Sequence, residues 1–377
     1  MSNTPLQGIK VVELARILAG PWIGQTLSDL GADVIKIESP DGDDTRSWGP
    51  PWIETNDEKS AAYFHACNRG KRSVVIDLKT QEGILKTMAL LKDADVFIEN
   101  FKVGGLEQYG LDAQTLCAAF PKLIYCSVTG FGQTGPYAER AGYDFMIQGM
   151  SGFMDLTGDT DSGPQKMGVA FADIFTGLYG VIGIQSALHQ RTQTGKGQHL
   201  DLSLFDCMSA VLANQSMNYL ASGTTPKRMG NKHPNIAPYQ TFPVSDGHLI
   251  IAVGNDKQFM RLCGVLAVEE LAHDDRFTNN SNRVANRDEL ETLLTRKTTQ
   301  WQRDDLLKAL EQAVVPAGPI NTVADVFEDP QFVAREMKIE PDGVPGVRTP
   351  IRFSDSELNL DRRAPMLGEH DELLDDL

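Results

Sequence analysis

The residue of this chain best placed for covalent chemistry is an aspartate at the head of a long apolar helix. Asp173 stands in GVAFADIFTGLYG, where a helical pattern begins at Phe171 and runs to about Arg191. An ionised carboxylate can act as a nucleophile, and the positive end of a helix dipole favours that ionised form. Aspartate is equally a favoured helix cap, a role that needs no chemistry. The two roles are compatible, and both predict that Asp173 is ionised near neutral pH.

Other candidates are weaker taken singly. Gly130-Phe131-Gly132-Gln133-Thr134-Gly135 matches G-x-G-x-x-G after a strand pattern, but it comes late in the chain and runs into Pro136 instead of opening a helix. It reads as a loop that lines a pocket, and an NAD-dependent dehydrogenase has no other support. Residues 68–79, NRGKRSVVIDLK, gather Arg69, Lys71, Arg72 and Lys79 against Asp77, a local net of +3, and Lys102 follows another strand end at Asn100. Cations at strand ends can hold a phosphorylated ligand, and they can also be plain surface charge. His233 lies in GNKHPN without ligand spacing. Gly254-Asn255-Asp256 is either a strand-to-helix turn capped by Asp256 or a mobile loop over a site. G-x-S-x-G, H-E-x-x-H and a complete P-loop are all missing, which sets aside the hydrolases, zinc proteases and nucleotide hydrolases that depend on them. No metal site is expected.

The net charge of −16 over 377 residues argues against a nucleic-acid partner, which needs a dense cationic surface. Five scattered cysteines without a C-x-x-C pair argue against disulfides and structural zinc. MSNTPLQGIKVVEL has no signal-peptide pattern, and apolar stretches such as 177–184 fall short of a bilayer span. A cytoplasmic protein with no membrane partner is expected.

Short apolar runs alternate with helices through the first two hundred residues: KVVEL (10–14), VIKIE ending at 38, SVVIDL (73–78), DVFIEN (95–100) and LIYCSV (123–128), with a helix over 81–92. That pattern predicts an α/β fold with a parallel sheet covered on both faces. Glycines 177, 180 and 183 share one face of the long helix and imply close helix packing. HLDLSL (199–204) leads into another helix, up to about Leu220. Later come YQTFPVSDGHLIIAV, a hairpin turning at Asp246-Gly247, and helices near 256–264, 286–299 and 302–312, a smaller α+β unit.

Seven segments in order resemble one family: LARILAGPWIGQTLSDLGADVIKIESP with GDDTRSWGPP, CNRGKRSVVIDLK, FIENFKVGG, YCSVTGFGQTGPYAERAGYDFMIQGMSG, GVAFADIFTG, TGKGQHLDLSLFD and LGEHDELL. Together they resemble the class III coenzyme A transferases, the formyl-CoA transferase and carnitine-CoA transferase family, from about residue 6 to 372. The resemblance implies an interlocked, ring-like homodimer. Each chain would have a Rossmann-like large domain over 1–205, a linker over 206–225, a small domain over 226–325 and a return segment over 326–377. It makes Asp173 the nucleophile and coenzyme A thioesters the substrates, with no prosthetic group. Positions matching the coenzyme A site are Leu18 and Ala19, then Ile76, Asp77, Leu78 and Lys79, then Asn100, Phe101 and Lys102; Tyr143 and Asp144 match the segment beside the thioester. Arg72 joins Lys79 and Lys102 as an expected coenzyme A contact. Arg16 and His233 are candidate partners of the acid substrate, with Gly254 and Asn255 in a lid.

This chain departs from the formyl-CoA transferases at Leu18, Ser39 and Gln108, where they carry glutamine, a basic residue and arginine, and at Gly254-Asn255-Asp256, where they carry a glycine run. GNDKQF, RAGYD and PKRMGNKHPNIAPYQTF are more similar to the branch that uses succinyl-CoA and dicarboxylic acids such as glutarate. Transfer from acetyl-CoA or formyl-CoA to oxalate is the alternative within the family. So is α-methylacyl-CoA racemisation, which pairs the aspartate with a histidine where this chain has Tyr143; tyrosine is too weak an acid for that proton transfer near neutral pH. A non-catalytic acyl-CoA binding protein is the reading from another class.

Overall fold

In the computed structural model the described residues are 3–55 and 58–375. They form two compact units, a large one of Met1–Phe153, Lys166–Thr224 and Pro330–Leu377, and a small one of Met154–Gln165 and Thr225–Asp329.

The large unit is built on six strands: β1 (Lys10–Leu14), β2 (Asp33–Glu38), β3 (Arg72–Val75), β4 (Val96–Glu99), β5 (Ile124–Thr129) and β6 (His199–Ser203). All pair in parallel, in the order β3-β2-β1-β4-β5-β6. The order reverses between β1 and β4, the switch point where open α/β sheets bind ligands. Both faces are apolar because both are covered. Val11, Ile98 and Cys126 pack under Ile23 and Leu27 of α1 (Ala19–Asp29), while Val12, Phe97 and Tyr125 pack under Leu91 of α2 (Gln81–Lys92) and Leu116 of α3 (Ala113–Ala119).

After β5 come α4 (Asp144–Met150) and α5 (Phe171–Thr194); α6 (Leu204–Ala210) and α7 (Ala213–Ser222) follow β6. A Cβ at Gly177 would lie 2.9 Å from the Trp22 ring, and one at Gly180 2.3 Å from Ile23, so these two glycines set the spacing of α5 on α1; at Gly183 the contact is ordinary. Contrary to the sequence reading, α5 is long and apolar enough to cross a membrane by length and composition. Ala172, Thr176, Val181, Ile184 and Leu188 are buried along it within the large unit. Most of the stretch expected as a linker, 206–225, is taken up by α6 and α7, which are separated by Val211 and Leu212. Residues 154–165 join the small unit instead of the large one: Gly158 O accepts from Gly230 N at 3.0 Å and Asp155 O from Arg228 Nη1 at 2.9 Å.

The small unit carries an antiparallel sheet of β7 (Tyr239–Val244), β8 (Gly247–Ala252) and β9 (Ala317–Pro319), with β8 central. Its hairpin turns on Ser245-Asp246, one residue earlier than expected. Phe242 and Leu249 pack with Phe259 of α8 (Asp256–Val265), Leu290 of α9 (Arg287–Thr298) and Leu306 of α10 (Arg303–Gln312). The returning C-terminal segment closes the edge of the large sheet. Ser73 O accepts from His370 N at 3.0 Å, and Asp371 Oδ1 accepts from Val75 N at 2.8 Å.

Candidate active site

The loop from β1 to α1 lies at the switch point and is held by side chains from several elements. Asn100, directly after β4, accepts from Arg16 N at 2.9 Å and donates to Arg16 O at 2.7 Å. Ile17 has φ 72°, a left-handed conformation that costs a β-branched residue about 1–3 kcal/mol. Both oxygens of Asp43 accept from Ile17 N at 3.3 Å, and the Cys67 thiol donates to Ile17 O at 3.5 Å.

Behind Asp43 stands a buried charge network. Lys36 Nζ lies 3.0 Å from Asp43, 3.1 Å from Glu13 and 2.7 Å from Ala15 O. Lys71 Nζ lies 2.8 Å from Glu13, 2.9 Å from Pro21 O and 2.8 Å from Asn68 Oδ1. Burial alone would lower the Lys36 ammonium, but Glu13, Asp43 and Glu38 outweigh it and raise its pKa. For Asp43 burial would raise the carboxyl, and Lys36 with the Thr45 hydrogen bonds outweighs it in the other direction.

Asp173 is the third residue of α5, and Ala170 is the cap. Asp144, at the head of α4, reaches across: its Oδ1 accepts from Ala172 N at 2.8 Å and its Oδ2 from Gln148 Nε2 at 2.7 Å. Burial, and after it the charge of Asp144, push the Asp173 carboxyl up to about 7. This corrects the expected low pKa, because desolvation outweighs the helix dipole. At neutral pH Asp173 is divided between its two protonation states.

Tyr63, on the short helix Ala62–His65, completes the cluster. Burial first, then the charges of Asp173, Cys67, Asp144 and Asp43, push its phenol up to about 12, so it remains a hydrogen-bond donor. Trp48 stands edge-on to it, with ring centres 5.3 Å apart. Neither aromatic was singled out from the sequence. Spacing does not connect Tyr63 with Asp173, and only the fold brings them together.

The first glycine of the G-x-G-x-x-G segment has a steric role. A Cβ at Gly130 would lie 2.5 Å from Gly142 Cα, so the two main chains press together and close the base of the loop that presents Tyr143 and Asp144. Turns, not a helix, follow Gly135. Tyr143 is exposed.

The positions matched to coenzyme A fall at carboxyl ends of strands, with one exception. Leu18 caps α1 without a side-chain bond and Ala19 opens it; first-turn amides of a helix have no acceptor inside it. Beyond β3, Ile76 is buried, Asp77 Oδ1 accepts from Lys79 N at 2.9 Å, Leu78 is half-buried and Lys79 exposed. Phe101 and Lys102 line a cavity of about 260 Å³ with Glu99, Ser127 and His199. Ser127 Oγ and His199 Nε2 are 2.9 Å apart, and burial pushes Glu99 up to about 7. This polar cluster was not foreseen.

Arg72 is the exception. It opens β3, at the amino end of the strand, and pairs with Asp33. Arg69 forks onto Asp29, and Lys71 is buried on Glu13. The cationic run 68–79 is therefore mostly internal ion pairing, and Lys79 is its one exposed cation among the described residues.

The expected acid-substrate contacts are engaged locally. Arg16 pairs with Asp44 at 2.8 Å. In the small unit, His233 Nδ1 accepts from Asn235 N at 3.1 Å, and burial followed by Arg287 lowers its pKa, so it is a neutral loop residue. Gly254 N donates to Gln258 Oε1 at 2.7 Å, and Asn255, not Asp256, caps α8. Asp256 pairs with buried Arg283 at 2.7 Å. These bonds make the segment a helix start, with the Gly254 amide already occupied.

The chain is 56% identical to the succinate–glutarate CoA-transferase of Agrobacterium fabrum over 97% of this chain and 94% of that one. It is 39% identical to the succinyl-CoA:glutarate CoA-transferase of Mus musculus over 98% of this chain and 85% of that one. The crystal structure of a CAIB/BAIF family protein from Brucella suis superposes with TM-score 0.90 at 69% identity, covering 100% of this chain and 99% of that one. A profile of CoA-transferase family III matches residues 6–371, and the chain belongs to that family of enzymes.

Proposed function

We propose that this CoA-transferase moves coenzyme A from succinyl-CoA to a dicarboxylic acid of the glutarate type, with Asp173 as nucleophile. The observation that carries the nucleophile is the placing of Asp173: a part-buried carboxyl at the head of α5, raised to about 7 by burial and the charge of Asp144, at the ligand end of a doubly wound sheet. Two relatives whose names pair succinate or succinyl-CoA with glutarate support the choice of acids.

In the proposed reaction, ionised Asp173 attacks the thioester carbonyl. The coenzyme A thiolate leaves, and a mixed anhydride remains on the aspartate. The thiolate then attacks the aspartyl carbonyl and releases the donor acid, leaving an aspartyl-CoA thioester. The acceptor carboxylate displaces the thiolate to form a second anhydride, and attack of the thiolate on the acceptor carbonyl frees Asp173. A carboxylate is a weak nucleophile, so positioning supplies much of the rate, of the order of 7–11 kcal/mol in favourable cases. Leu18 and Ala19 amides and the Tyr63 hydroxyl are the donors offered to the developing oxyanion. Lys79 and Lys102 hold coenzyme A phosphates.

A second copy of the chain completes the enzyme in this reading. Phe145 on α4, Ile182 on α5 and Met217 and Leu220 on α7 are exposed apolar residues of the large unit, a surface that a homodimer would cover.

The nucleophile is tested by incubating the protein with succinyl-CoA, trapping with hydroxylamine and mapping the modified peptide by mass spectrometry. Hydroxamate on Asp173 is expected. Label at another residue, or near-normal turnover in Asp173→Ala, overturns the assignment.

A further inference from the structure

Five side chains hold the main chain of one short loop. Lys36 takes Ala15 O, Asn100 takes both polar groups of Arg16, Asp43 takes Ile17 N, Cys67 takes Ile17 O and Lys71 takes Pro21 O. At the centre is the one residue that a free chain would not leave in this shape, β-branched Ile17 at φ 72°. Leu18 and Ala19 follow it directly, so the rotation at Ile17 sets where their amides point. The residue holding that rotation is itself held, since Asp43 accepts from Thr45 N at 3.0 Å and Thr45 Oγ1 at 2.8 Å, and Lys36 lies at 3.0 Å. The charges of Asp43 and Asp173 both help to raise the Tyr63 phenol.

We propose that Asp43, backed by Lys36, is a positioning residue of the transfer reaction: it locks Ile17 in the left-handed conformation and so aims the Leu18 and Ala19 amides at the reacting carbonyl. The proposal rests on the aspartyl transfer reading above. It assigns Asp43 no contact with substrate. Its effect passes through one peptide amide and is felt in kcat, because the aim matters most as the oxyanion develops. A buried carboxylate beside a buried lysine also serves stability, and a purely structural role is blind to what stands at position 17.

That difference supplies the test. Glycine adopts φ near 72° without strain, so Ile17→Gly removes the need for a lock. With succinyl-CoA and glutarate, Asp43→Asn in the natural background is expected to lower kcat about tenfold or more, with KM for succinyl-CoA within about threefold. In the Ile17→Gly background the same substitution is expected to cost less than about threefold, a coupling seen as non-additivity in the double-mutant cycle. Equal losses in both backgrounds overturn the proposal. Should Asp43→Asn fail to fold by circular dichroism, Ile17→Pro decides the matter with the Asp43–Lys36 pair intact: proline fixes φ near −65° and lacks the N–H. A folded I17P enzyme that keeps kcat within about threefold also overturns it. The natural enzyme, run alongside, separates this failure from that of the underlying reading: no transfer, or hydroxamate trapped away from Asp173, refutes the transfer mechanism itself.

Discussion

Asp144 and Asp173 are joined through a single amide: Asp144 Oδ1 accepts from Ala172 N, one residue before Asp173, at 2.8 Å, and its charge raises the carboxyl it helps to place. The same residue thus fixes where the Asp173 carboxyl stands and resists its ionisation.

The pH dependence follows. In the proposed reaction Asp173 must be ionised to attack, so kcat/KM for succinyl-CoA should rise with pH along a limb near 7. Removing the Asp144 charge lowers the Asp173 pKa, and Asp144→Asn should move that limb acidward by about half a unit to one unit, burial being the larger cause and remaining. A limb that stays in place, measured by initial rates from pH 5 to 9, refutes the coupling.

Stability should move the opposite way to activity. The folded pKa of Asp173 is raised from 3.8 to about 7, so its contribution favours folding below pH 4 and is lost as pH rises through 7. Asp173→Asn cannot ionise. It should match the natural protein near pH 4 and exceed it above pH 7 by up to about 4 kcal/mol, at about 1.4 kcal/mol per unit. Denaturant melts at pH 5 and 8 that show a constant difference contradict the raised pKa.

Tyr63→Phe deletes one hydroxyl and keeps the ring against Trp48. If that hydroxyl donates to the oxyanion, kcat should fall about tenfold to a hundredfold while KM for succinyl-CoA stays within about threefold. Unchanged kcat removes Tyr63 from the reaction.

The cations should divide cleanly in a coenzyme A binding assay. Lys79→Ala and Lys102→Ala should each weaken succinyl-CoA binding about fivefold to tenfold, less so at high salt. Arg72→Ala, which breaks a pair with Asp33 at the far end of β3, should leave affinity alone and lower stability by about 1 kcal/mol or less. Affinity lost in Arg72→Ala would return that residue to the coenzyme A site.

Gly130→Ala forces a Cβ to within 2.5 Å of Gly142 Cα, where both partners are main chain and neither can turn aside. A cost of about 1–3 kcal/mol is expected. Because the loop it opens carries Asp144, the acid limb of kcat/KM should move as well. A fully stable variant with an unmoved limb contradicts the steric account.

What the sequence made legible follows from what periodicity reports. The strands of the large sheet and the helix Gln81–Lys92 were readable because burial on two faces writes continuous apolar runs and burial on one face writes a helical repeat. Asp173 could be singled out as a candidate because it stands inside such a repeat and inside a family segment. Arg72 was misread for the complementary reason: a sequence shows a charge but not which carboxylate it meets, and Asp33 lies one strand away. Tyr63, Glu99 and the 154–165 segment take their places through contacts between distant stretches that no local pattern records. The pKa of Asp173 was misjudged because the helix dipole is visible in sequence and desolvation is not.

The internal pairing of Arg69, Lys71 and Arg72 also separates encounter from residence. At long range an anionic thioester approaches a chain of net charge −16 whose densest cationic run is turned inward, whereas at close range, in the proposed site, it would meet Lys79 and Lys102, both exposed. Repulsion acts over the Debye length and attraction acts at contact. Added salt should therefore quicken the arrival of acyl-CoA and shorten its stay, two opposite effects on affinity that a single equilibrium constant conceals.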